Sequence, residues 1–267
     1  MDLQIQRPRF VLFDYGETLA HEADYRPEAG FAAILSHARK NPRGADAQAL
    51  LASFRACFHD LRRRAHAAGV EIPNRQRWRW LFEMYDLEFD LPAEALERLY
   101  WDAAAPCSPT PGVEGLLERL RKRHIGSGVI SNMGFAGDSL RSRLARLFPE
   151  HRFDFVLSSA DYVLRKPDPR LFELALHKCG HPAQEVWFLG DNPEADVVGA
   201  ARAGCTPVYY ERDLGCAYRE LPQVESLPPC LRVRDWSELY PLFDDSLPLP
   251  SLVHRSSACY NGLEKEG

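Results

Sequence analysis

The sequence lacks the features that mark secreted, membrane-spanning or nucleic-acid-binding proteins. Its seven cysteines are odd in number and form no CxxC pair, so we expect reduced thiols. No apolar run is long enough to cross a bilayer, and the N-terminus lacks the apolar core of a signal peptide. The net charge of −5 gives no electrostatic reason to expect nucleic acid. These absences predict a cytoplasmic protein with no membrane and no nucleic-acid partner.

The chain also has no strand signal over a long internal stretch. The apolar run FVLF (10–13) predicts a buried strand, and the next strand pattern appears only near Ile125. Between them, residues 45–68 and the segments RQRWRWLFEMY and PAEALERLYWDAA have helical composition. We interpret residues 20–108, called the cap segment below, as an inserted helical module.

Strand and helix patterns alternate on either side of this segment. Helix signals begin at Thr110-Pro111 and Asp168-Pro169, and further strand patterns are IGSGVIS, FDFVLSS, VWFL, TPVYY and LRVR. Such alternation predicts an α/β fold with a Rossmann-like parallel sheet and helices on both faces. The predicted core comprises residues 1–19 and 109–245. Residues 246–267 have no periodicity and are predicted to form an irregular tail.

Polar residues follow three of the predicted strands directly. Asp14 follows FVLF, Ser131 and Asn132 follow GVI, and Asp191 follows VWFLG. Ligands of parallel sheets bind beyond the carboxyl ends of the strands, so we expect these side chains to meet above the sheet.

Four motifs occur in a fixed order over residues 9–210. They are VLFDYGETL, GVISN, RKPDPRLF and GDNPEAD. In these motifs the chain resembles the haloacid dehalogenase-like (HAD) hydrolase superfamily, in the class with a helical cap inserted after the first motif. The first motif matches the family pattern hhhhDxDxT only in part. A single motif would be weak evidence, but the ordered set, each at its expected structural position, is specific.

The resemblance implies a small phosphorylated substrate and a covalent mechanism. In the family the first aspartate attacks phosphorus and forms an aspartyl-phosphate that water hydrolyses. Mg²⁺, the implied cofactor, prefers oxygen ligands. By resemblance, the catalytic residues are Asp14, Ser131 and Lys166, the phosphate-binding residues are Ser131, Asn132 and Lys166, and the metal ligands are Asp14, the carbonyl of Gly16, Asp191 and Asp196.

The chain departs from the family pattern at Gly16. Most phosphatases of the superfamily have a second Asp there, which protonates the leaving oxygen and then activates water. General acid–base help is worth on the order of 10²–10⁴ in rate. Glu17 is one candidate to replace this Asp and His21 is another; otherwise nothing does. Without a replacement we expect a preference for aryl or acyl phosphates, a long-lived aspartyl-phosphate, or a catalytically weak binding or regulatory protein.

Two other branches of the superfamily also lack the second Asp. Dehalogenases act without metal, and the intact GDNPEAD motif argues against that activity. Phosphonatases use a cap lysine to form a Schiff base with the substrate. The only lysine of the cap segment is Lys40, in HARKNPRG. This stretch is predicted to be a helix end, where a lysine is common.

The cap segment interleaves Arg75, Arg77 and Arg79 with Trp78 and Trp80. Basic residues beside aromatics can bind single-stranded nucleic acid. The cap segment, however, has 12 Arg and Lys against 13 Asp and Glu, which favours a solvated face with buried tryptophans. One or more of these arginines is a candidate to bind a phosphate or carboxylate of the substrate.

Overall fold

The fold is centred on a parallel sheet of six strands. The structure, a computed structural model, describes residues 6–216 and 221–244, with the backbone alone of 3–4 and 251–252. The strands are β1 (Phe10–Phe13), β2 (Gly126–Ser131), β3 (Phe155–Ser158), β4 (Val186–Gly190), β5 (Thr206–Tyr210) and β6 (Leu231–Val233). Their order is β6-β5-β4-β1-β2-β3, and all neighbours are parallel. The predicted Rossmann-like α/β fold is confirmed.

Helices cover both faces of the sheet and also form most of the cap segment. They are α1 (Pro27–Leu35), α2 (Ala47–Ala67), α3 (Asn74–Met84), α4 (Ala93–Ala104), α5 (Val113–Lys122), α6 (Gly137–Leu147), α7 (Ser159–Tyr162), α8 (Pro169–Cys179), α9 (Gly199–Arg202) and α10 (Tyr240–Phe243). A π-helical turn (Pro193–Val198) leads into α9, and short 3₁₀ turns span Ala183–Glu185 and Trp236–Leu239. Asp168 caps α8 as the sequence predicts, and Asp235 and Glu238 form a capping box. The helix start predicted at Thr110 is displaced, because α5 begins at Val113 with Gly112 at its N-cap position.

The side chains of β1 alternate between two hydrophobic cores. Phe10 and Leu12 pack on one face of the sheet with Phe188. Val11 and Phe13 pack on the other face, in a core that continues into the cap segment. This alternation follows from the two-residue period of a strand. It decides which way the residues after β1 point.

The cap segment contains α1 to α4 and several short strands that the sequence did not indicate. Ala20–His21 pairs with Ser108–Pro109 where the cap segment joins the sheet, and Ala38–Lys40 pairs with Glu88–Phe89. The predicted helix end at Lys40 is wrong, because α1 already ends at Leu35 and Lys40 lies in a strand. Two- and three-residue strands are too short for an alternating pattern to show. The division into core and cap stays a prediction.

The apolar residues of α2 are buried only near its beginning. Leu50 and Leu51 are buried, whereas Cys57 and Leu61 are exposed. The helix is 21 residues long, and its second half is covered only in part, by contacts such as those of Phe58 with Trp80 and of His66 with Glu71.

Three sequence predictions concern the ends of the chain, its cysteines and the membrane. The predicted tail at 246–267 lies outside the described residues except for Ser251–Leu252, which pairs with Leu3–Gln4. The six cysteines that the structure describes are all free thiols. Among residues 6–216 and 221–244, no helix is long and apolar enough to span a bilayer.

Candidate active site

The site lies where the strand order reverses. The chain runs from β1 through β2 to β3 on one side, then returns to β4, β5 and β6 on the other. Asp14, Ser131 and Asp191 stand at the carboxyl ends of β1, β2 and β4, which are neighbours in the sheet. All three are buried. The reversal of strand order leaves a crevice above β1, which is where ligands of such sheets bind.

Lys166 is the cation at the centre of this crevice. Its Nζ lies 2.8 Å from Oδ1 of Asp14 and 2.6 Å from Oδ1 of Asp196. It also lies 4.9 Å from the ring centre of Phe188, on the face of the sheet that Leu12 occupies. Burial lowers the pKa of Lys166, but the two carboxylates outweigh burial and raise it. The ammonium is therefore held charged between two acids.

The Asn132 side chain holds the backbone of Lys166 in place. Its Nδ2 donates to the Lys166 carbonyl and its Oδ1 accepts from the Lys166 N–H, both at 2.8 Å. The sequence predicts Asn132 as a phosphate-binding residue, and its amide is committed to this pair of bonds. If Asn132 binds phosphate, it does so through its backbone N–H. The residues that follow would offer their backbone N–H groups in the same way.

Asp14, Asp191 and Asp196 form a cluster that could hold a metal ion. Each offers a carboxylate oxygen, and these atoms lie within 4.8 Å of one another. All three carboxylates are buried, and those of Asp14 and Asp196 both bond to the ammonium of Lys166. Clustered buried carboxylates repel one another unless a cation joins them, and carboxylate oxygens are ligands that suit Mg²⁺. The donor set thus fits the implied cofactor.

Asp196 is fixed from two sides within this cluster. Its Oδ1 faces Lys166, and its Oδ2 accepts from the N–H of Asn192 at 2.9 Å. Burial raises the pKa of Asp196 more than Lys166 lowers it, and the charge of Asp14 raises it further. Gly190 makes room for this carboxylate, because a Cβ at position 190 would lie 2.4 Å from Oδ2 of Asp196.

We expect Gly190→Ala to displace Asp196 and to disturb the three carboxylates that could hold a metal ion. Steric overlap with a short side chain cannot be relieved by rotating its tip, so unfolding should cost about 1–3 kcal/mol less. Activity should fall at least about 10-fold, with a higher Mg²⁺ concentration at half-maximal rate. The control is Gly115→Ala, whose Cβ would meet the Tyr240 hydroxyl at 2.2 Å, far from the cluster. Equal Mg²⁺ dependence in the two variants would contradict the role given to Gly190.

The turn after β1 sends its side chains in several directions. Tyr15 continues the face of Val11 and packs edge-on to Trp101. Glu17 adopts the left-handed conformation (φ 59°), which is costly for a residue with a side chain. Its carboxylate accepts from the Glu22 N–H at 3.1 Å and lies 2.8 Å from Nδ1 of His21. Both candidates to replace the missing acid are thus bonded to each other.

A buried cluster around Glu71 ties the cap segment to the loop that carries Lys166. Glu71 accepts from Ser159 Oγ at 3.1 Å, lies 3.0 Å from Nε2 of His66, and forms an ion pair with Arg165. Burial raises the pKa of Glu71, but the hydrogen bond with His66 and the charge of Arg165 bring it down to about 2. No sequence pattern indicated this cluster, because its members share no periodicity.

We expect Glu71 to make stability depend on pH in the acid range. The pKa of Glu71 in the folded protein, about 2, is below the ordinary 4.5. Its contribution to the free energy of unfolding is therefore complete above pH 4.5 and is lost as the pH falls towards 2. The full contribution is about 3 kcal/mol. Urea unfolding at pH 5, 4 and 3 measures this effect. The free energy of unfolding of the wild type should exceed that of Glu71→Gln by a smaller amount at each lower pH. A difference independent of pH in this range would contradict the assignment.

A second buried contact joins the residue after Asp14 to the cap segment. Arg143 Nε donates to the Tyr15 hydroxyl at 2.7 Å, and the guanidinium lies 3.3 Å from Glu22 and 2.8 Å from Asp102. Because Tyr15 adjoins Asp14, the contact restrains the end of β1 from the face opposite Lys166. The sequence did not indicate Arg143 either.

The chain is similar in sequence to known phosphatases. It is 35% identical to phosphoserine phosphatase of Thermus thermophilus over 130 residues, 49% of each chain, so it matches only about half the length of that relative. It is 27% identical to ribulose-1,5-bisphosphate 5-phosphatase of Halopiger xanaduensis over 75% of this chain and 84% of that one.

Solved structures and a family model extend the comparison to most of the chain. The 2-haloacid dehalogenase of Pseudomonas syringae pv. tomato superimposes with a TM-score of 0.57, over 89% of this chain and 98% of that one, at 22% identity. Likeness at this identity shows the fold alone. The model of the haloacid dehalogenase-like hydrolases matches residues 8–204. The chain therefore belongs to the haloacid dehalogenase-like hydrolase family.

Proposed function

We propose that this protein is a Mg²⁺-dependent phosphatase or phosphotransferase that acts on a small phosphorylated metabolite through an aspartyl-phosphate on Asp14. The observation that carries the proposal is the buried cluster in which Lys166 joins Asp14 to Asp196, with Asp191 within ligand distance. A dehalogenase needs no metal, whereas three buried carboxylates within 4.8 Å of one another are a donor set that suits Mg²⁺. The sequence likeness to two phosphatases supports the same activity.

The carboxylates, the lysine and the hydrogen-bond donors of the site have different roles in the proposed reaction. Asp14, the carbonyl of Gly16, Asp191 and Asp196 would hold Mg²⁺, which supplies positive charge to bring an anionic substrate to an anionic nucleophile. Ser131 and the N–H groups of the following loop bind phosphoryl oxygens. Lys166 stabilises the charge that develops on these oxygens and orients Asp14 through its hydrogen bond. An oxygen of Asp14 attacks phosphorus, and the P–O bond to the leaving group breaks.

Proton transfer is the weak part of this site. In the second half of the reaction water attacks phosphorus and frees Asp14, a step that gains from a base. Glu17 stays the candidate for the acid and base, yet both of its oxygens have partners within its own turn. We therefore favour leaving groups that depart without a proton, and a phosphorylated Asp14 that turns over slowly.

Gly16 also favours a second candidate, a HAD-fold binding or regulatory protein of weak activity. The metal ligand at this position is a backbone carbonyl, so binding can persist where catalysis is reduced. A phosphonatase is less well supported, because Lys40 is 53% exposed and pairs with Glu88 at 3.0 Å. An exposed, ion-paired lysine lacks the apolar pocket that activates a Schiff-base nucleophile.

The experiment that tests the proposal is phosphate release from a panel of aryl, acyl and alkyl phosphates, with Mg²⁺ and with EDTA. We expect release from at least the aryl and acyl compounds, and a loss of at least about 100-fold when the metal is removed. Binding of Mg²⁺ with no release from any compound would instead favour the binding protein. Release that is indifferent to EDTA would contradict the metal-dependent mechanism.

A further inference from the structure

Helix α3 carries three arginines, and two of them have ordinary partners. Arg79 is 82% exposed and pairs with Glu83 one turn away, at 2.9 Å. Arg75 lies 2.8 Å from Glu97 and 2.5 Å from Asp138, so it fastens the cap segment to α6. Each guanidinium therefore has a carboxylate within reach.

Arg77 lies between Arg75 and Arg79 in the sequence, but its surroundings differ from theirs. It is 5% exposed, and in the part of the chain that the structure describes no carboxylate lies within ion-pair distance of it. One Nη donates to Oδ1 of Asn74, the guanidinium lies 4.9 Å from the ring centre of Phe54, and the buried Nε has no hydrogen-bond partner. Burial, assisted by the charge of Arg62, lowers the pKa of Arg77 to about 10. A buried cation without a counter-ion is costly and calls for an anion.

The guanidinium lies against the loop that would bind the phosphoryl group. A Cβ placed on Gly134, three residues after Ser131, would lie 3.0 Å from Nη2 of Arg77. The Asn74 N–H donates to the carbonyl of the same glycine at 2.8 Å, which fixes the start of α3 on this loop. The cation is therefore on the site side of α3, and it is reached from the loop after β2.

Other polar groups of the cap segment surround the same place. The hydroxyls of Tyr25 and Tyr100 lie 3.3 Å apart and close enough to act electrostatically on Arg77. Glu71 acts on Arg77 as well, but its carboxylate is already bonded to Arg165 and Ser159. The surroundings thus supply hydrogen-bonding groups and an excess of positive charge.

We propose that Arg77 is a specificity-determining residue that binds a second anionic group of the substrate, a carboxylate or a second phosphate. This inference rests on the proposed phosphatase function, in which the first phosphoryl group lies against Ser131 and Lys166. The planar guanidinium can donate two parallel hydrogen bonds to either kind of anion, and its unpartnered Nε is one of the donors available. The substrate class is then a short phosphomonoester with a negative charge at its far end.

The test compares matched substrates in matched variants. Phosphate release is measured with 3-phosphoglycerate, 1,3-propanediol bisphosphate and propyl phosphate, for wild type, Arg77→Gln and Arg79→Gln. We expect wild type to favour one or both compounds with a second anionic group by about 10- to 100-fold in kcat/KM, a range typical of a charge-assisted hydrogen bond. These two compounds distinguish a carboxylate from a second phosphate. Arg77→Gln should lose this preference mainly through KM, whereas Arg79→Gln should keep it.

Binding measurements separate failure of the inference from failure of the function. The probes are 3-phosphonopropionate and propylphosphonate with Mg²⁺, because phosphonates bind without turnover. If no phosphate is released from any substrate but Arg77→Gln abolishes a preference for 3-phosphonopropionate, the anion site stands and the phosphatase fails. The inference is overturned if wild type does not prefer the compounds that have a second anionic group. It is also overturned if Arg77→Gln weakens the binding of compounds with and without that group equally.

A stability measurement excludes a merely structural role for Arg77. A buried cation with no carboxylate partner does not stabilise the fold, so Arg77→Met should keep or raise Tm without ligand while losing the preference. Arg77→Lys, which keeps the charge but not the planar fork, should restore part of the preference. A large fall in Tm for both variants, with the preference intact, would show that the side chain serves packing alone.

Discussion

Asp14→Asn should lower phosphate release by about 10⁴-fold or more, because the amide cannot form the phosphorylated intermediate. The substitution is nearly isosteric, and it removes one of the three carboxylates that cluster at the site. Without Mg²⁺ the variant should therefore be at least as stable as wild type, since fewer buried carboxylates repel one another. Steady-state release from an aryl phosphate and urea unfolding in EDTA measure the two effects.

The matched control for this prediction is Asp46→Asn, which makes the same chemical change at the N-cap of α2. Asp46 accepts from the Ala49 N–H there, and asparagine caps helices equally well. We expect its activity and stability to stay close to wild type. If Asp14→Asn retained a tenth of the wild-type rate, Asp14 would not be the nucleophile.

Gly16→Asp should raise the rate on alkyl phosphates by about 10²–10⁴-fold and leave aryl phosphates nearly unchanged. Wild type has no side chain at position 16 to protonate an alkoxide, whereas a phenolate departs without help. The left-handed conformation of this turn falls on Glu17, so the backbone at position 16 does not itself require glycine. The ratio of alkyl to aryl kcat, measured for both proteins at saturating substrate, gives the effect.

Two further variants decide where the proton comes from. Gly16→Asn has the size of the Asp variant but cannot transfer a proton, so it should give no gain. Glu17→Gln should change either rate by less than about 10-fold, because the Glu17 carboxylate is bonded to His21 and the Glu22 N–H. Loss of alkyl activity alone in Glu17→Gln would instead identify Glu17 as the surrogate acid.

The fold could be predicted because its signals are local. The apolar runs of β1 and β4 each end at an aspartate, and the stripe of Val113, Leu116, Leu117 and Leu120 is buried along its length. Parallel pairing then brings the strand ends together, so the neighbours of Asp14 followed from topology. Short ribbons such as Ala38–Lys40 could not be predicted, because three residues carry no period.

The rest of the site depends on contacts that sequence spacing does not encode. The bonds of Asn132 to the Lys166 backbone, and the link of Glu71 to Arg165, join residues 34 and 94 positions apart. The three arginines of α3 look alike in sequence, and only packing separates the buried Arg77 from the exposed Arg79. Packing also corrects the prediction of buried tryptophans, since Trp78 is buried and Trp80 is 39% exposed.

The central claim is that Asp14 carries the phosphoryl group during turnover. The most direct test mixes the protein with an aryl phosphate and Mg²⁺, quenches in acid within the first turnovers, and locates any added phosphoryl group by mass spectrometry. Because the site lacks the usual acid and base, we expect the phosphorylated form to accumulate, with the group on Asp14, sensitive to hydroxylamine and absent in EDTA. Steady phosphate release with no phosphoryl group on Asp14 at any quench time would contradict the account.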